Sequence, residues 1–416
     1  MPIINKPRGT IDYYGQQETL LAKIRSISLD RAHLYGCSDI ELPRFEENRL
    51  FHRTVGESSD IVTKETFDLA KKGDKDYTLR PEFTASVSRA VIENKLYVSP
   101  DRPLRFCYFG PVFRYERPQA GRLRQFNQCG VEFIDTKIDL DSSLDAFLLS
   151  LRSAEAILGH KVKAKLNYLG SFASRETYKK ALYAYFQPKI KDRCEDCQRR
   201  LETNPLRILD CKVEEDQKIA KDAPRIGDYL NDEDKAERDS ILKALDSLHI
   251  DYEVDSELVR GLDYYTGLVW EIYDTGNPAV GAIGGGGKYS SLREQIGGPK
   301  REGIGFSLGV ERLLLSLTED RKKELCPNPS LDVFRIDLQR NGLALKLADE
   351  LRKDGLSVSI ASFGKGRGGC FKRADRLGAK KVLILDSDQK LKVKDRTTRD
   401  QVEVKEEEAL ALLEKR

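Results

Sequence analysis

The run Leu104-Arg-Phe-Cys-Tyr-Phe-Gly-Pro-Val-Phe-Arg114-Tyr-Glu116-Arg117-Pro-Gln119-Ala-Gly-Arg122-Leu-Arg124-Gln-Phe126-Asn-Gln128-Cys-Gly-Val-Glu132-Phe-Ile-Asp135 decides how this 416-residue chain is read. Aromatic and β-branched residues crowd both ends, and a basic stretch with Pro118 and Gly121 separates them, which predicts two strands joined by a long polar loop. Side chains alternate along a strand, so Phe126, Gln128, Gly130 and Glu132 share one face while Asn127, Cys129, Val131 and Phe133 share the other. The first face is polar with one flat ring. Arg114 closes the first strand, and Glu116, Arg117, Arg122 and Arg124 follow within the loop; converging guanidiniums suit a polyphosphate, because each offers a fork of donors. A lone arginine pair in such a loop is more often just solvated. Here Gln128 and Glu132 sit on the same face as the aromatic, where burial without a polar ligand would be costly.

Working outward, Leu20, Leu21, Ile24, Ile27 and Leu29 form a helical stripe from about Gln16 to Leu34, ended by Gly36. Ile40, Leu42 and Pro43 predict a short strand whose proline suits an edge or an interface. A second helix is expected from Thr84 to about Asn94, after Thr78-Leu-Arg-Pro-Glu82-Phe-Thr84. On the other side, Leu169 to Ile250 is charged and mostly helical, an insertion interrupting one domain, and strand-like sequence returns at Leu258 to Tyr273. That strand holds Arg260-Gly-Leu-Asp-Tyr264-Tyr265-Thr266; a tyrosine pair is more often core than ligand site, yet core hydroxyls also need partners. Gly284 to Gly287 predicts a turn without phosphate-loop spacing, suited to close approach of a ligand or another strand. A strand (Ile304 to Leu308) and a helix (Val310 to Leu317) follow, with Arg312 in the helix's first turn, where free amides favour an anion. Most such arginines are plain surface residues. Thr318 to Ser330 is expected to be a linker, and beyond Leu331 strands and helices alternate as in a small α/β domain: Val333 to Leu338, Leu343 to Lys353, Val358 to Ala361, Phe371 to Leu377 and Val382 to Leu385. The expected organisation is a domain over 1–168 resuming at 251–320, an insertion over 169–250, and a last domain over 331–416.

The bulk properties agree with a multidomain chain: 39% hydrophobic and 33% charged residues permit packed cores under a solvated surface. With 71 basic against 68 acidic side chains, the net +3 says nothing about nucleic acid; only local patches could. No apolar run is long enough for a membrane span, and Met1 to Lys6 has no signal-peptide pattern, so no membrane partner and a cytoplasmic location are expected. Eight scattered cysteines fit reduced thiols. Cys194, Cys197 and Cys211 suggest zinc but leave a tetrahedral set one ligand short, with neither His160 nor His249 near in sequence, so no metal site is assigned. None of the four histidines has a metalloprotease or triad-like setting, which argues against histidine-based catalysis.

These residues resemble the histidyl-tRNA synthetase family over nearly the whole chain, from Lys6-Pro-Arg-Gly-Thr10 onward. Leu258-Val-Arg-Gly-Leu-Asp-Tyr-Tyr-Thr266 is similar to a peptide characteristic of that family. Arg114 to Gln119 with Arg124 to Gln128 resembles class II motif 2, Gly305-Phe-Ser-Leu-Gly-Val-Glu-Arg312 resembles motif 3, and the stretch around Pro43 resembles the dimer-forming motif 1. The resemblance implies an α+β protein: a class II antiparallel-sheet catalytic domain with a helical insertion, plus a C-terminal α/β anticodon-binding domain. It implies activation of L-histidine by ATP, with Mg²⁺, transfer to tRNA(His), and a homodimer. Glu82, Thr84 and Gln128 would hold the α-amino group, with Phe83, where many relatives have glycine, in the same pocket; Glu132 and Tyr265, with Tyr264 nearby, would read the imidazole. Phe126 would lie under adenine with Arg312 above it. Arg114 and Arg260 would grip the α-phosphate, Arg122 the outer phosphates, and Glu116 would lie near adenine or Mg²⁺. Arg114, Arg260 and Gln128 are thus the residues assigned to the chemical step, and Arg117, Gln119 and Arg124 those facing the tRNA acceptor end. Ser290-Ser291 depart from a usual Asp-Gly. The competing expectation is a regulatory paralogue that senses histidine without aminoacylation.

Overall fold

The computed structural model describes residues 3–55, 65–71, 73–119, 121–211, 213–259, 264–327, 331–337, 342–361, 366–385 and 391–414. The chain divides into two compact units, Met1–Thr318 and Glu319–Arg416.

The first unit is organised by an eight-stranded sheet. Its strands run in the order Ser38–Asp39, Leu104–Phe113, Gln125–Asp135, Glu302–Gly309, Ala282–Tyr289, Tyr265–Asp274, Val162–Tyr168, Tyr252–Val254. The six inner strands pair antiparallel, and the short strand at each edge pairs parallel with its neighbour. The central hairpin has Gly110 opposite Gln128 and Phe106 opposite Glu132. The edge strand begins two residues before the apolar positions that announced it, with Ile40 N–H still bonded to the Cys107 carbonyl. Pro43 lies beyond the pairing; the guanidinium of Arg80 holds the carbonyls of Leu42 and Pro43 instead, at 2.9 and 3.1 Å.

The glycine run is not a turn. Gly284 to Gly287 lies inside the strand Ala282–Tyr289, between two partner strands. A Cβ on Gly286 would come within 2.2 Å of the Gly305 carbonyl and 2.6 Å of Trp270, and one on Gly287 within 2.7 Å of the Tyr265 ring. The glycines exist because neighbouring strands and rings fill the space that side chains would need.

Helices Gln16–His33 and Leu140–Leu158 pack with the sheet; Trp270 stacks edge-on to Phe147, its indole N–H bonded to Ser150 Oγ at 3.0 Å. The latter helix starts at Asp139, whose carboxylate accepts from Ser142 N–H, and stops at Gly159 in the left-handed region. Between the strands Val162–Tyr168 and Tyr265–Asp274 the described residues hold the helices Phe172–Phe186, Glu195–Thr203, Glu214–Lys221 and Asp232–Ser247, with short 3₁₀ turns between, and then the edge strand Tyr252–Val254.

The second unit opens with a helix, Glu319–Leu325, in a segment expected to be linker. Its five-stranded sheet runs Val358–Ile360, Val333–Asp337, Lys381–Leu385, Leu391–Asp395, Gln401–Val404, parallel among the first three and antiparallel thereafter. Strand alternation sorts its core: Val333, Leu383 and Leu385 pack with Leu347, Leu351 and Leu413, whereas Phe334, Ile336, Val382 and Ile384 pack with Cys370 and Ala374. Helices therefore cover both faces. Among the described residues no helix is long and apolar enough to cross a membrane.

Candidate active site

One face of the large sheet carries a cavity of about 400 Å³. Of the residues singled out from sequence, Glu82, Phe83, Thr84, Arg114, Glu116, Arg122, Phe126, Gln128, Glu132, Tyr264, Tyr265 and Arg312 line it together. They come from four separate stretches of chain, 82–84, 114–132, 264–265 and the helix at Arg312. Arg117, Gln119 and Arg124 are on the hairpin loop but not on the cavity wall. Arg124 bonds the Glu116 carbonyl at 3.2 Å and lies over the Tyr115 ring, and Gln119 and Arg122 pair backbone to backbone across the turn. Arg260 lies outside the described residues.

The inner end is acidic and hydroxyl-rich. Glu132, 1% exposed, accepts from the Thr84 hydroxyl on one oxygen and from the Tyr289 hydroxyl on the other, each at 2.6 Å. Each carboxylate oxygen keeps capacity for a further donor. Burial pushes its pKa up to about 7, the Thr84 and Tyr289 bonds opposing this and the charge of Glu82 adding to it. Gly305 makes room for that carboxylate: a Cβ there would stand 2.2 Å from Glu132 Oε2. Glu82 accepts the amides of Thr84 and Ala85 at 2.6 and 2.9 Å, thereby capping the helix Thr84–Glu93. Burial raises its pKa too, with the amides pulling the other way. The Tyr264 hydroxyl is buried and has no hydrogen-bond partner among the described residues. Phe83 does not close the cavity: it stacks on Tyr108 with ring centres 4.1 Å apart, under the Arg80 guanidinium.

The outer end is basic. Arg114 is steered by the Pro81 carbonyl at 3.0 Å and lies 5.3 Å above the centre of the Phe126 ring. Arg122, 38% exposed, lies 3.9 Å from Glu116. Arg312 donates to the carbonyls of Gly121 and Ala282, so it ties the hairpin loop to the glycine strand. Its pKa is lowered, first by burial and then by Arg122. A cavity with buried carboxylates inside and guanidiniums outside orients a zwitterion, its ammonium inward and its carboxylate toward whatever the arginines hold.

Sequence reasoning missed several wall residues: Tyr108, Arg207, Glu271, Tyr289 and Glu311. Glu311 binds the amide and side chain of Asn127 and the Tyr13 hydroxyl, fixing the hairpin strand to the helix Val310–Ser316; its place beside Arg312 was the available signal. Arg207 comes from the helical insertion, and nothing in its local sequence points to the sheet.

The comparisons with known proteins bear on both units. A family model described as histidyl-tRNA synthetase matches residues 9–313, and one described as anticodon binding domain matches 333–416. The chain is 42% identical over 410 residues to the histidine–tRNA ligase of Bacillus subtilis (strain 168), covering 96% of each protein. It is also 42% identical to that of Staphylococcus aureus (strain JH9), covering 95% of this chain and 96% of that one. This chain belongs to the histidyl-tRNA synthetase family. The crystal structure of the apo S. aureus histidyl-tRNA synthetase superposes with a TM-score of 0.80 at 34% identity, covering 99% of this chain and all of that one. Class II synthetase architecture, with a separate anticodon-binding unit, thus accounts for both sheets. The antiparallel expectation holds for the six inner strands; only the two edge pairings are parallel.

Proposed function

We propose that the chain is a histidine–tRNA ligase that joins L-histidine to ATP, releasing pyrophosphate, and then passes the histidyl group to the 3′ end of tRNA(His). The observation that carries this reading is one cavity with two buried carboxylates inside and three arginines outside, in a chain that matches family relatives over almost its full length.

The chemistry follows from the residue types. Imidazole has one N–H donor and one acceptor nitrogen. Glu132 takes the N–H, and the Tyr264 hydroxyl, with no protein partner among the described residues, serves the other nitrogen or a neighbouring group of the ligand. Tyr265 completes that wall. An amino acid without a ring N–H leaves Glu132 unmatched in a buried setting, which is the basis of discrimination. Glu82, Thr84 and Gln128 receive the α-ammonium, and Phe83 forms the floor beside them. The histidine carboxylate, already an anion, attacks the α-phosphorus without a general base. Arg114 and Arg260 hold the phosphate oxygens on which charge accumulates, with Arg122 on the leaving pyrophosphate. Phe126 and Arg312 sandwich the adenine. Glu116 and Glu271 offer the oxygen donors that Mg²⁺ takes, and Mg²⁺ bound with ATP would draw off phosphate charge. Arg117, Gln119 and Arg124 face the acceptor end of the tRNA.

ATP/pyrophosphate exchange measured with and without histidine tests the reading. Histidine-dependent exchange followed by charging of tRNA(His) is expected; histidine binding without exchange would make the chain a regulatory paralogue. The C-terminal match, over 333–416, favours the ligase. The motif around Pro43 supports a two-fold dimer, because isologous pairing is the commonest closed assembly. Sedimentation at micromolar concentration should give twice the chain mass of 47.2 kDa; an active monomer would refute this part.

A further inference from the structure

The helical insertion holds a second cluster of reactive side chains, none of which lines the cavity. Cys194, Cys197 and Cys211 converge with a residue that sequence spacing did not flag, Asp216. The four donor atoms all lie within 4.8 Å of one another. Cys197, Cys211 and Asp216 are buried, Asp216 to 2% exposure, and Cys194 is half-buried.

Two of the spacings inside the cluster match those of a coordination shell. Zinc bound by thiolates at about 2.3 Å and by a carboxylate at about 2.0–2.2 Å, in a tetrahedron, sets neighbouring sulfurs roughly 3.8 Å apart and sulfur and oxygen roughly 3.5 Å apart. Cys194 Sγ and Cys211 Sγ are 3.8 Å apart, and Cys211 Sγ is 3.4 Å from Asp216 Oδ2. The sulfur pair is much too far apart for a disulfide. Two sulfurs also accept amide N–H groups, Cys194 Sγ from Cys197 and Cys211 Sγ from Val213, each at 3.4 Å. Cys194 further caps the helix Glu195–Thr203, whose N-terminal end faces the cluster. Arg193 approaches the outer oxygen of Asp216 at 3.6 Å, offsetting part of the negative charge.

We propose that Cys194, Cys197, Cys211 and Asp216 bind one structural Zn²⁺. Three soft sulfurs and one oxygen select zinc over the hard cations Mg²⁺ and Ca²⁺. Four protein ligands complete the tetrahedron and leave no open position, so the ion is structural and not catalytic. Each ligating thiol releases its proton to solvent on binding, and no redox change occurs. The ion joins the start of one helix, the end of the 3₁₀ turn Pro205–Asp210, and the helix Glu214–Lys221. Arg207 lies on that turn, between Cys197 and Cys211, and lines the active-site cavity. Zinc therefore fixes the segment that delivers an insertion arginine to the cavity wall.

Full-length chain, purified under reducing conditions without chelator, should contain stoichiometric zinc by plasma mass spectrometry. Zinc-free protein reloaded with Co²⁺ should show the visible ligand-field bands of a tetrahedral site and thiolate-to-cobalt charge transfer. Cys211→Ser and Asp216→Asn should each lose the stoichiometric zinc, while Cys326→Ser, at a thiol outside the cluster, should keep it. Removing the zinc should lower the unfolding temperature of the parent chain. A folded parent chain that holds no zinc as purified, nor after incubation with zinc under reducing conditions, overturns the proposal. So does a Co²⁺ spectrum without thiolate charge transfer, a reading that needs no variant to fold.

Discussion

Glu132 couples the unliganded pocket to pH. Its pKa, raised from 4.5 to about 7, means that between those values the folded chain keeps a proton that the unfolded chain has released. Stability therefore falls as pH rises from about 4.5 to 7 and stays lower above it. Glu132→Gln preserves shape and removes the charge. Urea unfolding without histidine should find the variant gaining on the parent between pH 5 and pH 8, by as much as about 3 kcal/mol if the whole shift is expressed. A difference that does not change with pH would mean that the buried carboxylate titrates normally. The same substitution should weaken histidine binding at pH 8 by about 1–3 kcal/mol and leave ATP binding nearly unchanged, because the imidazole N–H exchanges a charged carboxylate acceptor for a neutral amide oxygen. Equal losses for both ligands would point to damage of the whole pocket.

Among the elements, the glycine strand and the hairpin loop make opposite demands on substitution. Gly286 stands where a Cβ would meet a backbone carbonyl at 2.2 Å, so Gly286→Ala should destabilise the chain by about 1–3 kcal/mol in thermal or urea unfolding. Gly368, in the helix Arg367–Arg376, has nothing within 4 Å of the same added atom. There Gly368→Ala should stabilise the second unit by about 0.5–1 kcal/mol, through helix propensity alone. If both substitutions act alike, packing of neighbouring strands is not what selects the glycines. The hairpin loop has little packing at stake. Arg117 and Gln119 are exposed and off the cavity wall, so Arg117→Ala with Gln119→Ala should leave ATP/pyrophosphate exchange near the parent rate and slow transfer to tRNA, as rapid-quench single-turnover assays would separate. Parallel losses in both steps would move the loop into the activation chemistry.

At the scale of the whole molecule, charge and core are divided unequally between the two units. Residues 331–416 carry 20 basic and 15 acidic side chains, whereas the chain as a whole is nearly balanced. A net positive unit with its own two-sided core suits salt-sensitive contact with RNA phosphates. A chain ending at Thr318 should keep histidine-dependent ATP/pyrophosphate exchange, because every described residue of the cavity wall precedes that point. Its charging of tRNA(His) should drop sharply at physiological salt. Undiminished charging would remove the C-terminal unit from tRNA recognition.

Much of this was legible without coordinates. Alternation of side chains along 104–135 identified the hairpin and sorted its faces, since a strand's period of two is a local property. Strands and helices from Val333 to Leu385 were readable from similarly local patterns, whereas the helix Glu319–Leu325 reads locally as linker, and motif resemblance assembled most of the cavity wall. What remained hidden depends on contact between distant segments. Gly284 to Gly287 reads locally as a turn, and only the neighbouring strands, with Trp270 and Tyr265, reveal why a central strand must lack side chains there. The strands Leu391–Asp395 and Gln401–Val404 and the helix Glu406–Glu414 went unread: apolar and polar residues do alternate in both strands, but over only five and four residues the pattern is too short to stand out. Glu132 has an ordinary carboxylate in any peptide; its raised pKa comes from burial in the folded sheet, with the charge of Glu82, far away in sequence, adding to it. Asp216 likewise became a partner of three cysteines only when the insertion folded its helices together, because ligand geometry is a matter of distance in space and sequence spacing reports only distance along the chain.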